Sequence, residues 1–182
     1  MRIVGGYLGG RHFNPKMKKW PTRPTTDQAK EALFNILHNK LDFESIKCLD
    51  LFGGTGNISF ELASRGCLDI TCIDKYRACT EFVKDQSVIF NTENEIKVIQ
   101  SDVLRFIKQT KEKFGLIFAD PPYDWNEMSS FPALLLSLNI LSSDSLFVLE
   151  HDNKVKFDHI PEFIESRNYG QTVFSFFSKH LA

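Results

Sequence analysis

Residues 46–56, IKCLDLFGGTG, form an apolar run that passes directly into a glycine-rich turn, and this segment indicates the class of fold. A buried strand that ends in glycines and precedes a helical pattern is typical of the first βα unit of a parallel sheet. Short apolar segments then alternate with amphipathic ones as far as residue 150, which predicts an α/β fold with a mostly parallel sheet. The predicted strands are 46–52, 69–74, 96–100, 114–120 and 145–150.

The pattern changes at both ends of the chain. A threonine followed three residues later by glutamine has capping-box spacing and predicts a first helix from Thr25 or Thr26 to about Asn39. Before it, glycines between short extended pieces predict a small hairpin over 2–13, followed by a proline-containing connector over 14–24. The final stretch predicts an antiparallel hairpin on the sheet edge, which brings the total to seven strands. Later helices are predicted over 57–65, 76–90, 103–111 and 130–141.

These features divide the chain into an N-terminal hairpin and connector, residues 1–24, and an α/β domain, residues 25–182.

Charge is unevenly distributed along the chain. Residues 1–40 have eight Lys and Arg against two acidic residues, a net charge of +6, whereas the remainder has 14 against 21, a net charge of −7. A basic arm on an acidic body is typical of a phosphate-binding surface, although a solvated terminal extension gives the same asymmetry.

Composition excludes several classes of protein. The apolar runs are far shorter than a membrane span, so we expect a cytoplasmic protein with no membrane partner. The four cysteines have no paired metal-ligand spacing, and two lie within apolar strands, which indicates reduced core thiols rather than disulfides or zinc. The five histidines are scattered without ligand spacing. We therefore expect no metal site.

Three carboxylates are predicted at the ends of successive strands. Asp50 ends the first strand just before the glycines, Asp74 ends the second, and Asp102 follows the third. The carboxyl ends of parallel strands form the edge where open α/β sheets bind ligands, and an acidic side chain in the position of Asp74 accepts from ribose hydroxyls. A carboxylate before the glycines disfavours a pyrophosphate and favours a cation. The pattern indicates an adenosine-bearing cation and so points to S-adenosylmethionine.

Other interpretations of this turn fit less well. A dinucleotide fingerprint requires a third glycine where this chain has Ser59, and a P-loop requires a lysine where it has Asn57. A strand-end aspartate can also act only as a helix N-cap, and for Asp102 this alternative stays open.

The fourth predicted strand ends in the tetrapeptide Asp120-Pro121-Pro122-Tyr123. Two prolines remove two N–H donors and hold the backbone extended, so carbonyl oxygens can face the cleft without internal donors. Asp120 and the Pro121 carbonyl can then accept the two hydrogens of an exocyclic amine and stabilise its developing positive charge. Tyr123 can stack on a base turned out of its helix. An ordinary loop start is the alternative interpretation of the same residues.

Taken together, these residues resemble the class I S-adenosylmethionine-dependent methyltransferases that modify exocyclic amines. The N-terminal half narrows the resemblance to the RsmD family, which methylates N2 of a guanine in 16S ribosomal RNA. The similarity covers nearly the whole chain and is weakest after Asp152. It is carried by the segments DLFGGTG (50–56), DPPY (120–123), RIVGG (2–6), GR (10–11), RPTTD (23–27) and EALFNIL (31–37).

The resemblance implies a Rossmann-like class I methyltransferase fold, S-adenosylmethionine as cofactor, and 16S ribosomal RNA or the small ribosomal subunit as partner of a monomeric enzyme. Its implied catalytic residues are Asp120, Pro121 and Tyr123. The expected cofactor-binding residues are Asp50, Phe52, Gly53, Gly54, Gly56, Asp74, Asp102, Val103 and Asp120. The expected RNA-binding residues are Arg11, Lys16, Lys18, Lys19, Arg23 and Thr25. Trp125 and Asn126 match no family pattern.

Two other functions are compatible with the residues. An adenine-N6 DNA methyltransferase also uses a DPPY turn, although 182 residues leave little room for a DNA-recognition domain. An inactive RNA-binding assembly factor would keep the basic arm without the chemistry. Direct transfer of the sulfonium methyl group needs no thiol nucleophile, in agreement with the predicted burial of the cysteines.

Overall fold

A computed structural model of the protein describes residues 1–15 and 25–179. These residues form an α/β domain with one central sheet. The strands are β1 Lys47–Leu51, β2 Asp69–Asp74, β3 Ile96–Gln100, β4 Phe114–Ala119, β5 Leu141–His151, β6 Phe163–Tyr169 and β7 Thr172–Phe177. The helices are α1 Asp27–His38, α2 Asn57–Ser64, α3 Arg77–Phe90, α4 Val103–Gln109 and α5 Phe131–Ser137.

The sheet has seven strands in the order β3-β2-β1-β4-β5-β7-β6. Strands β1 to β5 are parallel, and β7 and β6 add an antiparallel hairpin at the edge. The order reverses between β1 and β4, so the carboxyl ends of these two strands lie side by side at the point where open α/β sheets bind ligands. The register pairs Asp50 with Phe118 and Leu51 with Ala119. This arrangement brings the glycine turn next to the DPPY turn.

Helices cover both faces of the sheet, because alternate strand residues point to opposite sides. Cys48 and Phe118 belong to an apolar cluster that includes residues of α1, α2 and α3. Leu49 and Ala119, one residue along each strand, belong to a second cluster that includes residues of α4 and α5. The chain is thus a three-layer sandwich with helices on each side.

The N-terminal segment, residues 1–13, packs into the first of these clusters. Ile3, Leu8 and Phe13 are buried in it, and a single antiparallel bridge joins Arg2 to His12. The predicted hairpin is therefore present as one bridge closed by glycine turns. Its side chains share the core of the α/β domain, and the expected boundary at residue 24 lies outside the described residues.

A buried ion pair holds this segment in place. Glu61 accepts hydrogen bonds from the backbone N–H groups of Val4 and Gly5 at 2.8 and 2.9 Å. The Nζ of Lys30 lies 3.3 Å from Glu61 Oε2 and donates to the carbonyl of Arg2 at 2.6 Å. Burial lowers the pKa of Lys30, and the adjacent Glu61 carboxylate opposes that effect. Helices α1 and α2 are thereby joined to the chain that precedes them.

One of the two starts predicted for the first helix, Thr26, is confirmed, whereas two later boundaries are wrong. Helix α1 is capped by Thr26, whose side chain accepts from the N–H of Ala29, while the hydroxyl of Thr25 is engaged elsewhere. The helix predicted to reach residue 141 stops at Ser137, and β5 begins four residues earlier than expected. An irregular register between β4 and β5 pairs Leu141 with Phe114 and then Leu146 with Leu116, so β5 includes the polar residues 142–144 between these pairs.

All four cysteines are buried free thiols, in agreement with the prediction. Among the residues that the structure describes, no helix combines the length and the apolar character needed to cross a bilayer.

Candidate functional site

The site begins with Asp50, near the end of β1. The side chain of Asp50 is 2% exposed, and its Oδ2 accepts from the backbone N–H and the hydroxyl of Ser59 on α2, at 3.1 and 2.5 Å. Burial raises the pKa of Asp50 to about 7, although both bonds from Ser59 favour the ionised form. Asp50 therefore changes charge near neutral pH and is stabilised as an anion by any cation that binds beside it.

The glycine turn that follows is shaped by its own protein neighbours. A Cβ on Gly53 would lie 2.3 Å from the Sγ of Cys72, and one on Gly56 would lie 2.8 Å from the ring of Phe60. These glycines thus allow the turn to pack against β2 and α2. Phe52 adopts a φ of 63°, a backbone conformation that costs energy for a residue with a side chain. The packing around the turn maintains this strain.

Asp74, at the end of β2, organises the same turn. Its Oδ2 accepts from the N–H of Gly54 at 2.9 Å, and its Oδ1 accepts from the N–H of Tyr76 at 2.8 Å. Each carboxylate oxygen retains acceptor capacity for a ligand hydroxyl. Asp74 can therefore both hold the glycine turn and receive a ribose.

Asp102 is the N-cap of α4, and its Oδ1 accepts from the N–H of Arg105 at 3.0 Å. The capping role that the sequence analysis left open for Asp102 is thus present. The same residue lines a cavity with Asp74, and Val103 is buried beside it.

The DPPY turn closes the site on the β4 side. The N–H of Asp120 donates to the carbonyl of Leu51 at 3.3 Å, which ties this turn to the end of β1. Burial, followed by the nearby carboxylates of Glu150 and Asp50, raises the pKa of Asp120 well above its usual range. Pro121 is buried and Tyr123 is 38% exposed.

Trp125 forms an aromatic wall beside the turn. Its ring lies edge-on to those of Phe52 and Phe131, with centroid distances of 5.0 Å in both cases. The backbone N–H of Trp125 donates to the carbonyl of Pro122 at 2.9 Å, which fixes the loop after the DPPY turn. This residue, unmatched in the sequence analysis, connects the strained Phe52 to the loop.

Two cavities adjoin at this edge of the sheet and share Phe52 and Asp120. We call them the turn cavity and the rim cavity. The turn cavity is lined by Thr25, Asp50, Phe52, Gly53, Gly54, Thr55, Asn57, Ile58, Phe118 and Asp120. The rim cavity is lined by Phe52, Asp74, Lys75, Tyr76, Asp102, Val103, Asp120, Pro122 and Trp125.

Glu150, on β5, joins the site although the sequence analysis did not single it out. It is buried, and its Oε2 accepts from the hydroxyl of Thr25 at 2.6 Å. Thr25, expected at the RNA interface, is itself buried and lines the turn cavity. Glu150 is an acidic residue near the end of a strand, as are Asp50 and Asp74, and this pattern was a signal that could have identified it.

The remaining expected RNA-binding residues are outside the two cavities or outside the described chain. Arg11 is exposed, and its guanidinium lies over the ring of Phe90 at 5.7 Å from the centroid. Lys16, Lys18, Lys19 and Arg23 fall in residues 16–24, which the structure does not describe.

Over the described ranges, no three His, Cys, Asp or Glu side chains converge as a metal-binding group.

The sheet order, the strand-end carboxylates and the glycine turn define the Rossmann-like fold of the class I methyltransferases. A family model described as "Conserved hypothetical protein 95" matches residues 1–178. The chain belongs to this family, and the resemblance to the RsmD family is confirmed.

Curated relatives and solved structures agree with this assignment. The chain is 31% identical over 149 residues to the ribosomal RNA small subunit methyltransferase D of Buchnera aphidicola, covering 80% of this chain and 75% of that protein. It is 29% identical to the protein of the same name from Escherichia coli K12, covering 84% and 75%. The structure of a hypothetical protein from Thermus thermophilus superposes with a TM-score of 0.84 at 25% identity, covering 98% and 99%.

Proposed function

We propose that the protein is an S-adenosylmethionine-dependent methyltransferase that acts on the exocyclic N2 amine of a guanine in 16S ribosomal RNA. One observation carries the proposal. Asp74 and Asp102, the rim carboxylates, line the same cavity as Asp120 of the DPPY turn. A methyl donor held at the rim would therefore lie beside the group that receives the acceptor amine.

The residues present fit the cofactor. Asp74 offers carboxylate acceptors for a ribose, and Val103 and Trp125 offer apolar walls for a purine ring. Asp50, in the adjoining turn cavity, would provide the negative charge that an α-ammonium or a sulfonium requires. When bound, S-adenosylmethionine supplies an electrophilic methyl group.

The DPPY turn supplies what an amine acceptor needs. The Asp120 carboxylate and the carbonyl of Pro121 would accept the two hydrogens of the amine and so favour its pyramidal, reactive form. The same carboxylate would take the proton that the methylated nitrogen loses after transfer. Tyr123, partly exposed, would stack on the base.

The choice of RNA rests on the relatives and on charge. The relatives from Buchnera and Escherichia coli are named ribosomal RNA small subunit methyltransferases. The first 40 residues of this chain have a net charge of +6, which favours a phosphate-rich partner. The chain is expected to act as a monomer in the cytoplasm.

Product analysis tests the proposal. Purified protein and tritiated S-adenosylmethionine would be incubated separately with small ribosomal subunits, naked 16S ribosomal RNA and duplex DNA, and the labelled nucleoside would be identified after digestion. We expect label in N2-methylguanosine from one of the two ribosomal substrates. Label found in DNA as N6-methyladenine would reject the proposal, and no label in any substrate would favour an RNA-binding assembly factor.

Asp120→Ala is expected to reduce transfer by at least about 100-fold, because the amine loses its charged acceptor. Its affinity for S-adenosylmethionine, measured by calorimetry, should change by less than about 3-fold, since Asp50, Asp74 and Asp102 remain as expected cofactor contacts. Asp158→Ala, a change of the same residue type outside both cavities, serves as the control. Equal loss of binding and transfer would place Asp120 in the cofactor site instead.

A further inference from the structure

Asn57, the first residue of α2, has an amide group that the fold leaves incomplete. The residue is 8% exposed, and its Nδ2 is buried without a hydrogen-bond partner among the described residues. Burying an amide nitrogen without an acceptor costs free energy, because the group gives up its hydrogen bonds to water. Such groups are therefore rare unless a ligand or an ordered water accepts the hydrogen bond.

The orientation of this amide is determined by its neighbour. The Nζ of Lys30 donates to Asn57 Oδ1 at 2.8 Å. Because an ammonium group can only donate, the amide oxygen must face Lys30, and the NH₂ group must face the other way. Lys30 is itself held by Glu61 and by the carbonyl of Arg2, so this orientation is part of the buried core.

Asn57 lines the turn cavity together with Asp50 and Asp120. It also lies at the positive end of α2, an eight-residue helix whose N-cap, Gly56, makes no side-chain capping bond. The N-terminus of a helix and an unpaired NH₂ group both favour an anionic acceptor. Asp50, on the same cavity, favours a cationic donor. The turn cavity thus suits a zwitterion.

We propose that Asn57 Nδ2 donates a hydrogen bond to the α-carboxylate of the methionyl end of S-adenosylmethionine, while Asp50 accepts from its α-ammonium. This inference rests on the proposed function, because it assigns a specificity-determining contact to the same cofactor. Lys30 and Glu61 act as positioning residues, since they turn the amide of Asn57 towards the cavity without lining it. An ordered water in place of the carboxylate is the competing explanation.

The test compares two ligands that differ only in the carboxylate: S-adenosylmethionine and its decarboxylated analogue, titrated by calorimetry without RNA. Wild-type protein is expected to bind the intact cofactor at least about 10-fold more tightly, because a charge-assisted hydrogen bond is lost with the carboxylate. Asn57→Asp retains the acceptor for Lys30 but replaces NH₂ by an oxygen. We expect this variant to lose the preference or to reverse it.

Asn57→Ala, which removes the donor together with the oxygen that accepts from Lys30, should lower the preference to less than about 3-fold. Asn168→Asp, the same substitution at an exposed residue of β6, should keep the wild-type ratio and controls for the added charge. Thermal melting of each variant checks that it is folded.

The outcomes separate this inference from the function that it rests on. If the Asn57 variants keep the wild-type ratio while affinity for both ligands stays normal, a water completes the amide and the inference is wrong, although the cofactor assignment stands. If wild-type protein binds neither ligand, the proposed function fails and the inference fails with it.

Discussion

Asp50 is expected to make the stability of the free protein depend on pH. Its pKa is about 7 in the folded protein, against an ordinary value of 3.8, so the folded state binds more protons than the unfolded chain between these values. Stability should therefore fall as pH rises from about 4 to 7, by a few kcal/mol, and then level off. Asn at this position cannot ionise, so Asp50→Asn should show a shallower fall in urea unfolding.

Asp120 also has a raised pKa and contributes to the same trend, so the fall in Asp50→Asn should be reduced but not abolished. Ser59→Ala provides a comparison, because removing the hydroxyl that donates to Asp50 should raise the pKa of Asp50 further. Identical profiles of stability against pH for wild type and Asp50→Asn would show that ionisation of Asp50 is not the cause of the fall in stability.

Gly53 is expected to tolerate no side chain, for a reason that can be tested by a second substitution. A Cβ there would lie 2.3 Å from the Sγ of Cys72. Gly53→Ala should reduce the free energy of unfolding by about 1–3 kcal/mol through overpacking. In a Cys72→Ala background the same change should cost much less, because the sulfur is gone. Equal costs in both backgrounds, measured by urea unfolding, would show that the clash is not the cause.

At the scale of elements, the join between the N-terminal segment, α1 and α2 depends on one buried carboxylate. Glu61 accepts two backbone N–H bonds from residues 4 and 5 and faces Lys30 and Arg65. Glu61→Gln would leave the buried Lys30 ammonium without a counter-charge. We expect a loss of about 3–5 kcal/mol in unfolding free energy.

Glu81→Gln provides the matched control, since Glu81 also pairs with an arginine one helical turn away but is exposed. An exposed pair of this kind contributes at most about 0.5 kcal/mol. Hydrogen exchange at Val4 and Gly5 should accelerate in Glu61→Gln only. A Glu61→Gln variant as stable as wild type would mean that the segment is held by its buried side chains alone.

At the scale of the whole molecule, the separation of charge predicts how RNA binding responds to salt. Replacing Lys16, Lys18, Lys19 and Arg23 by Ala should lower the affinity for 16S ribosomal RNA. It should also reduce the magnitude of the slope of log affinity against log salt concentration by up to about 3. Replacement of four exposed lysines of the body, Lys84, Lys97, Lys108 and Lys111, is the charge-matched control. Equal slopes for wild type and the first variant would remove the basic segment from the interface.

Local patterns along the chain were enough to predict the order of elements and the chemistry of the rim. Alternating apolar and amphipathic segments placed β1 to β4 to within a residue of their ends, and the aspartates at strand ends marked the edge that binds ligands. Hydrophobic period, turn residues and residue type at a strand end depend on a few neighbours in sequence. The start of β5 was misplaced because residues 142–144, Ser-Ser-Asp, are polar and have no strand pattern, and their place in the strand depends on the irregular register with β4.

Which residues meet, in contrast, depends on tertiary packing. Three features of the site depend on contacts between distant parts of the chain. Gly53 makes room for Cys72, and Thr25 donates to Glu150 across 125 positions. Lys30 orients the amide of Asn57. Such contacts have no local signature, because they arise from how α1, β1 and β5 pack together. The sequence therefore predicted a row of carboxylates, whereas the fold distributed them between two adjoining cavities, with Asp120 shared by both.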